Sequence, residues 1–330
     1  MPVEIIAEAA QGYEGDSTLA RLLARGAARA GADAVKFQLV YADEVVAPGH
    51  QHYALFRSLE MPLKVWEAVA QEARSGGIRF YLDVFGERSL QEAQALGADA
   101  VKIHSTDFFN ASLVRLALKT MPRVFISIGG ITAEELEAFL AQHQIRSTGQ
   151  VCLLYGFQAE PTPIESNHLN RLGALRRRFP DYPFGFMDHT DAGCGEALTL
   201  PLLALPFGVC CLEKHITLDR PLRLEDYGSA LSVQEFQMFV ERLRRLEPSL
   251  GTDHLGLTEA EQTYRRKALK AVVASRPLKP GQVVTAEDVC LKRPASSGHS
   301  THVPHLDEVI GRVVEVDVQP NHPVTKEMLR

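Results

Sequence analysis

Two histidines and two lysines are the residues of this chain that packing alone does not explain. His189 and His215 each follow a short apolar run, residues 184–187 (FGFM) and 209–212 (VCCL). Between them, residues 195–205 (GEALTLPLLAL) read as a helix with one apolar face. In a parallel sheet or barrel neighbouring strands end on one rim, so a strand–helix–strand unit sets the two imidazoles side by side. Each histidine has a carboxylate near it, Asp188 or Glu213, and Asp226 follows one loop beyond His215. Paired imidazoles with a carboxylate in reach make a candidate divalent-metal site. A histidine that merely packs or caps a loop is the competing reading of either residue taken singly. The lysines are Lys36, inside AVKFQLV, and Lys102, inside AVKIHS. An ammonium within an apolar strand is costly unless it meets an anion. That anion is either a carboxylate at the rim or a bound phosphate or carboxylate ligand. Ser105 and Ser127 can add hydroxyl donors, and Gly129-Gly130 ahead of a helix can add backbone N–H groups. A plain strand-to-helix turn carries the same glycine pair.

The elements that must position these residues alternate regularly. Strands are expected at residues 4–10, 34–40, 78–85, 98–105, 123–128, 151–157, 184–187 and 209–212. Helices are expected at 17–30, 63–75, 87–96, 110–120, 133–142, 169–179, 195–205 and 232–246, with Asp16 capping the first. Eight strand–helix units over about 245 residues, with near-continuous apolar strands, predict a parallel (β/α)₈ TIM barrel. Its site then lies where Glu8, Lys36, Asp83, Lys102, Ser105, Ser127, Gln158, Asp188, His189 and His215 gather, at the C-terminal strand ends. One loop of roughly twenty residues, after residue 40, is long enough to read as functional or mobile.

Past residue 247 the chain becomes polar, with one helix expected in an acidic-then-basic run, and from residue 271 it becomes β-rich with turns at Lys279-Pro280-Gly281 and Gln319-Pro320-Asn321. The predicted organisation is a barrel at 1–247, a linker at 248–270 and a small β-rich domain at 271–330. A domain of about 60 residues is small for an independent core and is expected to pack on the barrel or on a neighbouring subunit.

Composition narrows the function classes. The chain is 45% hydrophobic and 23% charged, as expected of a globular protein, and its net charge of -6 argues against a nucleic-acid-binding surface. No apolar run reaches membrane-spanning length, and residues 1–10 lack the basic start and apolar core of a signal peptide. The five cysteines show no CxxC, which fits buried thiols in a reducing compartment; the expected location is the cytoplasm.

In order and spacing, IIAE, GADAVKFQ, AVKIHS, PTP at Pro161 to Pro163, DHT at Asp188 to Thr190, LEKHIT at Leu212 to Thr217 and DRP at Asp219 to Pro221 resemble the sialic acid synthase family. These are the phosphoenolpyruvate-dependent nonulosonic acid synthases. LKPGQVVTAEDVCLKRP and LDEVIGR resemble that family's C-terminal SAF (antifreeze-like) domain. The resemblance covers nearly the whole chain. It implies a reaction in which carbon 3 of phosphoenolpyruvate attacks the aldehyde of an open-chain N-acylated hexosamine such as N-acetylmannosamine; water adds at carbon 2 and phosphate leaves. It implies a divalent metal, Mn2+ first and Mg2+ or Co2+ as alternatives, on His189 and His215. It assigns phosphoenolpyruvate to Lys36, Lys102, Ser105, Ser127 and Gln158, and the sugar to Glu160, Asp226 and Arg293. Glu8, His215 and Asp226 take the catalytic roles, and Arg293 reaches over from the partner in a domain-swapped homodimer. The sequence departs from the family pattern at several contacts. AAQGYEGD follows Glu8, LDVF puts Asp83 where a phosphate-facing hydroxyl is expected, Met187 replaces a serine, FQAEPTP places Gln158 and Glu160 before the prolines, and HSTD follows Lys102. A metal-dependent sugar aldolase on the same barrel, or a non-catalytic sugar-binding paralogue, are the alternative readings.

Overall fold

The computed structural model describes residues 2–294 and 302–330. Eight parallel strands close into a ring: β1 (Glu4–Ala10), β2 (Ala34–Gln38), β3 (Arg79–Val84), β4 (Ala100–Ile103), β5 (Val124–Ser127), β6 (Val151–Tyr155), β7 (Phe184–Asp188) and β8 (Cys211–Thr217). Each strand pairs with the next, and β1 pairs back onto β8 with Glu8 opposite His215. This is the TIM barrel expected from the alternation, followed by a small β-rich C-terminal region. A contact-based division separates residues 1–251 from residues 252–330. Among the described residues no helix is long and apolar enough to cross a membrane.

The period of two along each strand builds two layers. One phase faces outward and packs under the helices; there Tyr13, Phe37 and Trp66 meet edge to face, with centroids 5.1 to 6.3 Å apart. The other phase faces the barrel axis. Its lower residues, Ile6, Ala34, Tyr81, Ala100, Phe125, Cys152, Leu154, Met187 and Cys211, fill the interior as a packed plug. The next inward positions toward the rim are Glu8, Lys36, Asp83, Lys102, Ser127, His189, Glu213 and His215. On seven of the eight strands alternation therefore converts an apolar floor into a polar mouth within a single step, while β6 continues from Leu154 to Gly156.

Helix boundaries follow local chemistry. Asp16 caps Ser17–Arg29 by accepting from Thr18 N and Leu19 N, and capping boxes Thr132/Glu135 and Ser232/Glu235 start Ala133–Gln142 and Val233–Leu246. Three expectations are corrected. The apolar stretch after β7 forms two 3-10 segments, Gly195–Leu198 and Leu200–Phe207, and not one α-helix. Pro201 and Pro206 remove backbone donors there, which an α-helical ladder cannot spare. The expected loop after β2 holds two short helices, Ala42–Val45 and Tyr53–Ser58. Strand β8 starts at Cys211 and continues through His215, so His215 lies inside the strand and not beyond its end.

In the C-terminal unit the helix Glu259–Ala268 precedes an antiparallel pair, Ala271–Ala274 with Val289–Lys292. Val272, Leu278, Val284, Val314 and Val324 are among the residues of its own apolar core.

Candidate active site

The barrel mouth gathers a charge cluster that spans five strands. Lys36 from β2 ion-pairs with Glu8 from β1, lies 2.6 Å from Asp83 on β3 and 3.4 Å from Glu213 on β8. Lys102 from β4 reaches Asp83 at 3.0 Å, Glu213 at 2.9 Å and Glu8 at 3.6 Å. All five side chains are buried. Of the two partners left open for a strand lysine, the carboxylate is the one seen here. Charges buried this deeply persist only when matched, and two ammonium groups face three carboxylates. Burial pushes the Glu8 carboxyl up to about 8; Lys36 opposes the rise and Asp83 adds to it. Burial acts against the ionised forms of Lys102 and Glu213 as well, yet Asp83 and Glu213 hold Lys102 well above the usual ammonium range, and Lys102 and Lys36 hold Glu213 well below the usual carboxylate range. Burial and the two ammonium groups thus pull Glu8 and Glu213 in opposite directions, with burial ahead at Glu8 and the lysines ahead at Glu213.

The imidazoles stand beside this cluster. The rings of His189 and His215 lie 4.8 Å apart, and His215 Nδ1 is 3.7 Å from Asp226 Oδ2. Burial lowers both histidines below their ordinary value, with Asp226 opposing the shift at His215. Both are thus neutral and keep a lone pair for a ligand. Asp226 adopts a left-handed backbone with φ 63°, a conformation costing a non-glycine residue on the order of 1 kcal/mol or more and found where a site requires it. Burial raises its carboxyl to about 7, against the pull of His215 and with the Glu160 carboxylate adding to the rise. Among the described residues, His189 Nδ1 and Ser127 Oγ are buried with no hydrogen-bond partner. Two neutral imidazoles, one with an orphaned nitrogen, are donors of the kind a divalent ion takes, so the residues fit an ion held by His189 and His215, with the Asp226 carboxylate beside His215.

The remaining expected residues divide into those beside the cluster and those apart from it. Ser105 opens a 3-10 turn, Ser105–Asp107, and its Oγ donates to Gln158 Oε1 at 2.8 Å. Gln158 Nε2 lies 3.4 Å from His104 Nε2, which brings the loops after β4 and β6 together. Met187 Sδ sits 4.0 Å from Lys102 Nζ, a weak sulfur contact where a hydroxyl is expected. Gly129 and Gly130 have separate reasons: a Cβ on Gly129 would collide with Gly156 O, and Gly130 has φ 79°. Asp188 is corrected: it has the outward phase and pairs with Lys214 at 2.5 Å behind the site, where Lys214 also donates to Thr190 O. Arg293 belongs to the C-terminal unit, is exposed, and donates from Nε to Ala268 O at 3.0 Å. Glu213 is the functional candidate that residue-type reasoning passed over as a mere neighbour of a histidine. Its signal is the phase, since Glu213 and His215 are two apart on one strand and share the inner face.

A closed parallel barrel with carboxylate-matched lysines and paired neutral imidazoles at its C-terminal mouth presents a candidate active site of TIM-barrel type. The NeuB family model matches residues 23–254 and the SAF domain model residues 270–330, and the chain belongs to the NeuB family. It is 26% identical to the N,N'-diacetyllegionaminic acid synthase of Campylobacter jejuni over 88% of this chain and 90% of that protein. It is 25% identical to a pseudaminic acid synthase of the same species over 96% of this chain and 94% of that protein. The crystal structure of N-acetylneuraminic acid synthetase from Leptospira borgpetersenii serovar Hardjo-bovis in complex with citrate superposes with a TM-score of 0.73 at 27% identity, covering 81% of this chain and 93% of that one.

Proposed function

We propose that the protein is a nonulosonic acid synthase that condenses phosphoenolpyruvate with an open-chain N-acylated hexosamine and releases phosphate. The observation that carries this reading is the convergence of Lys36 and Lys102, both buried, on one inner layer beside the His189/His215 pair. Lys36 and Lys102 neutralise the phosphate and carboxylate of phosphoenolpyruvate, exchanging protein carboxylates for substrate oxygens. The unpartnered Ser127 hydroxyl and the Ser105–Gln158 pair donate hydrogen bonds to the same anion. His189 and His215 would hold a divalent ion, Mn2+ in preference to Mg2+ or Co2+, which would supply Lewis acidity toward the sugar aldehyde. Asp226 and Glu160, whose carboxylates influence each other, orient sugar hydroxyls. The Glu8 carboxylate, made more basic by burial, positions the water that adds at carbon 2 and takes its proton. Arg293 of a second copy closes over the sugar in a domain-swapped dimer and excludes bulk water. The cytoplasm, where phosphoenolpyruvate is made, is the compartment that fits.

The test is phosphate release from phosphoenolpyruvate with Mn2+ against a panel of N-acylated hexosamines that includes N-acetylmannosamine. Release that depends on one sugar supports the reading and identifies the acceptor. No release with any sugar overturns it. The saturation of both lysines by Glu8, Asp83 and Glu213 favours a second reading, a metal-dependent sugar aldolase that makes no use of phosphoenolpyruvate. Bound metal together with no phosphoenolpyruvate-induced rise in Tm would select that reading.

A further inference from the structure

At the N-terminal face of the barrel, away from the histidines, three of the five cysteines converge. Cys152 is the second residue of β6, Cys211 the first of β8, and Cys210 precedes it. Their sulfurs are 3.3 Å apart for Cys152 and Cys210, 4.0 Å for Cys152 and Cys211, and 4.0 Å for Cys210 and Cys211. Strands β6 and β8 are not neighbours. Their sulfurs meet because alternate strands share a layer inside the barrel and because the residue between them on β7 is Gly185. A Cβ at Gly185 would collide with Cys211 Sγ and with Leu154 Cδ2, so the absent side chain is what lets the sulfurs approach.

We propose that Cys152, Cys210 and Cys211 form a three-sulfur site for a soft d10 metal ion of the Zn2+ type, separate from the rim site. A tetrahedral ion with metal–sulfur bonds of about 2.3 Å holds its sulfurs about 3.8 Å apart, and the three observed separations bracket that spacing. The fourth position opens to solvent. Cys152 and Cys210 line a cavity of about 520 Å³, together with Glu4, Arg79 and Arg123. Arg123 lines the same cavity and favours thiolate there. The ion takes the three sulfurs as thiolates and releases their protons to solvent. Three thiolates and a divalent ion leave one negative charge, which the Arg123 guanidinium faces.

The experiment is titration of the reduced full-length chain with Co2+ as a spectroscopic stand-in for Zn2+. Thiolate-to-cobalt charge-transfer absorption is expected to rise to saturation and to disappear on adding excess Zn2+. A site of imidazole and carboxylate gives no such band, so the rim does not contribute. The band is expected to persist in Cys194→Ser, whose sulfur donates to Asp191 O elsewhere, and to be lost in Cys210→Ser. The unmutated chain supplies a second readout, in which Zn2+ slows alkylation of Cys210 at least tenfold as read by peptide mass. Absence of the band in the unmutated chain, its persistence in Cys210→Ser, or an alkylation rate unmoved by Zn2+ overturns the proposal.

Discussion

Replacing Asp83 with Ser asks whether this carboxylate competes with substrate for the lysines. Asp83 is fully buried, 2.6 Å from Lys36 and 3.0 Å from Lys102. Removing one partner from a buried ion pair typically costs about 3–5 kcal/mol. Both lysines keep Glu8 and Glu213, which brings the expected loss of stability in the free protein down to about 2 kcal/mol. The effect on ligand runs the other way. A phosphate seated on the same lysines would hold its charge about 6 Å from the Asp83 carboxylate, and at an effective dielectric of about 20 each unit of like charge there is repelled by about 3 kcal/mol. Half of that, after relaxation of the side chains, is a tenfold gain in affinity. Asp83→Ser is therefore expected to bind phosphoenolpyruvate 10- to 100-fold more tightly, by about 1.4–3 kcal/mol, while unfolding at lower denaturant. Titration calorimetry of both proteins, with urea unfolding of the free forms, reads the two effects separately. Equal or weaker phosphoenolpyruvate affinity in a folded Asp83→Ser protein would falsify the placement of the anion on Lys36 and Lys102.

Three further outcomes follow from the same geometry. His215→Ala is expected to abolish metal-dependent turnover and lower metal affinity while the circular dichroism spectrum is retained; turnover at the original rate would remove His215 from the metal site. Lys102→Ala removes the shared partner of Asp83 and Glu213, so phosphoenolpyruvate affinity should fall at least tenfold with metal binding preserved, as calorimetry would report, and an unaltered affinity would place the anion elsewhere. In the C-terminal unit, Asp288 is buried yet lowered to about 2, because bonds from Thr285 N, Thr285 Oγ and Arg276 Nε outweigh its burial. A folded pKa below the unfolded value contributes stability above about pH 4 that is lost as pH falls through about 2. Asp288→Asn should thus speed hydrogen exchange across residues 271–292 at pH 7 and make little difference at pH 2; equal protection at pH 7 would contradict it.

The barrel was legible because its strands are apolar on both faces below the rim, and the intervening helices carry their own caps. What stayed hidden is what alternation does at the mouth. In the stretch LEKHIT an apolar-run criterion ends the strand at Leu212, yet Glu213 and His215 point inward and Lys214 pairs outward with Asp188. The polar residues are the strand's continuation. Lys36 and Lys102 were recognisable as costly, but residue types alone left their partner open, since Glu8, Asp83 and Glu213 come from three other strands. The sulfur cluster had no spacing signal at all. It depends on alternate strands meeting across a glycine, and Gly185 looks like any other small residue in an apolar run.

The glycines that follow β5 and β6 bear on how such a barrel can change its acceptor. A side chain at Gly129 would strike Gly156 O, and one at Gly156 would strike Met187 O. This stretch of the mouth is bare main chain stacked on main chain, and no substitution there can reshape the binding surface without breaking the ring. Diversification of the sugar contacts is left to the loops after β6 and β8, where Glu160 and Asp226 reside. A library aimed at altered sugar choice should randomise those loops and leave these glycines untouched.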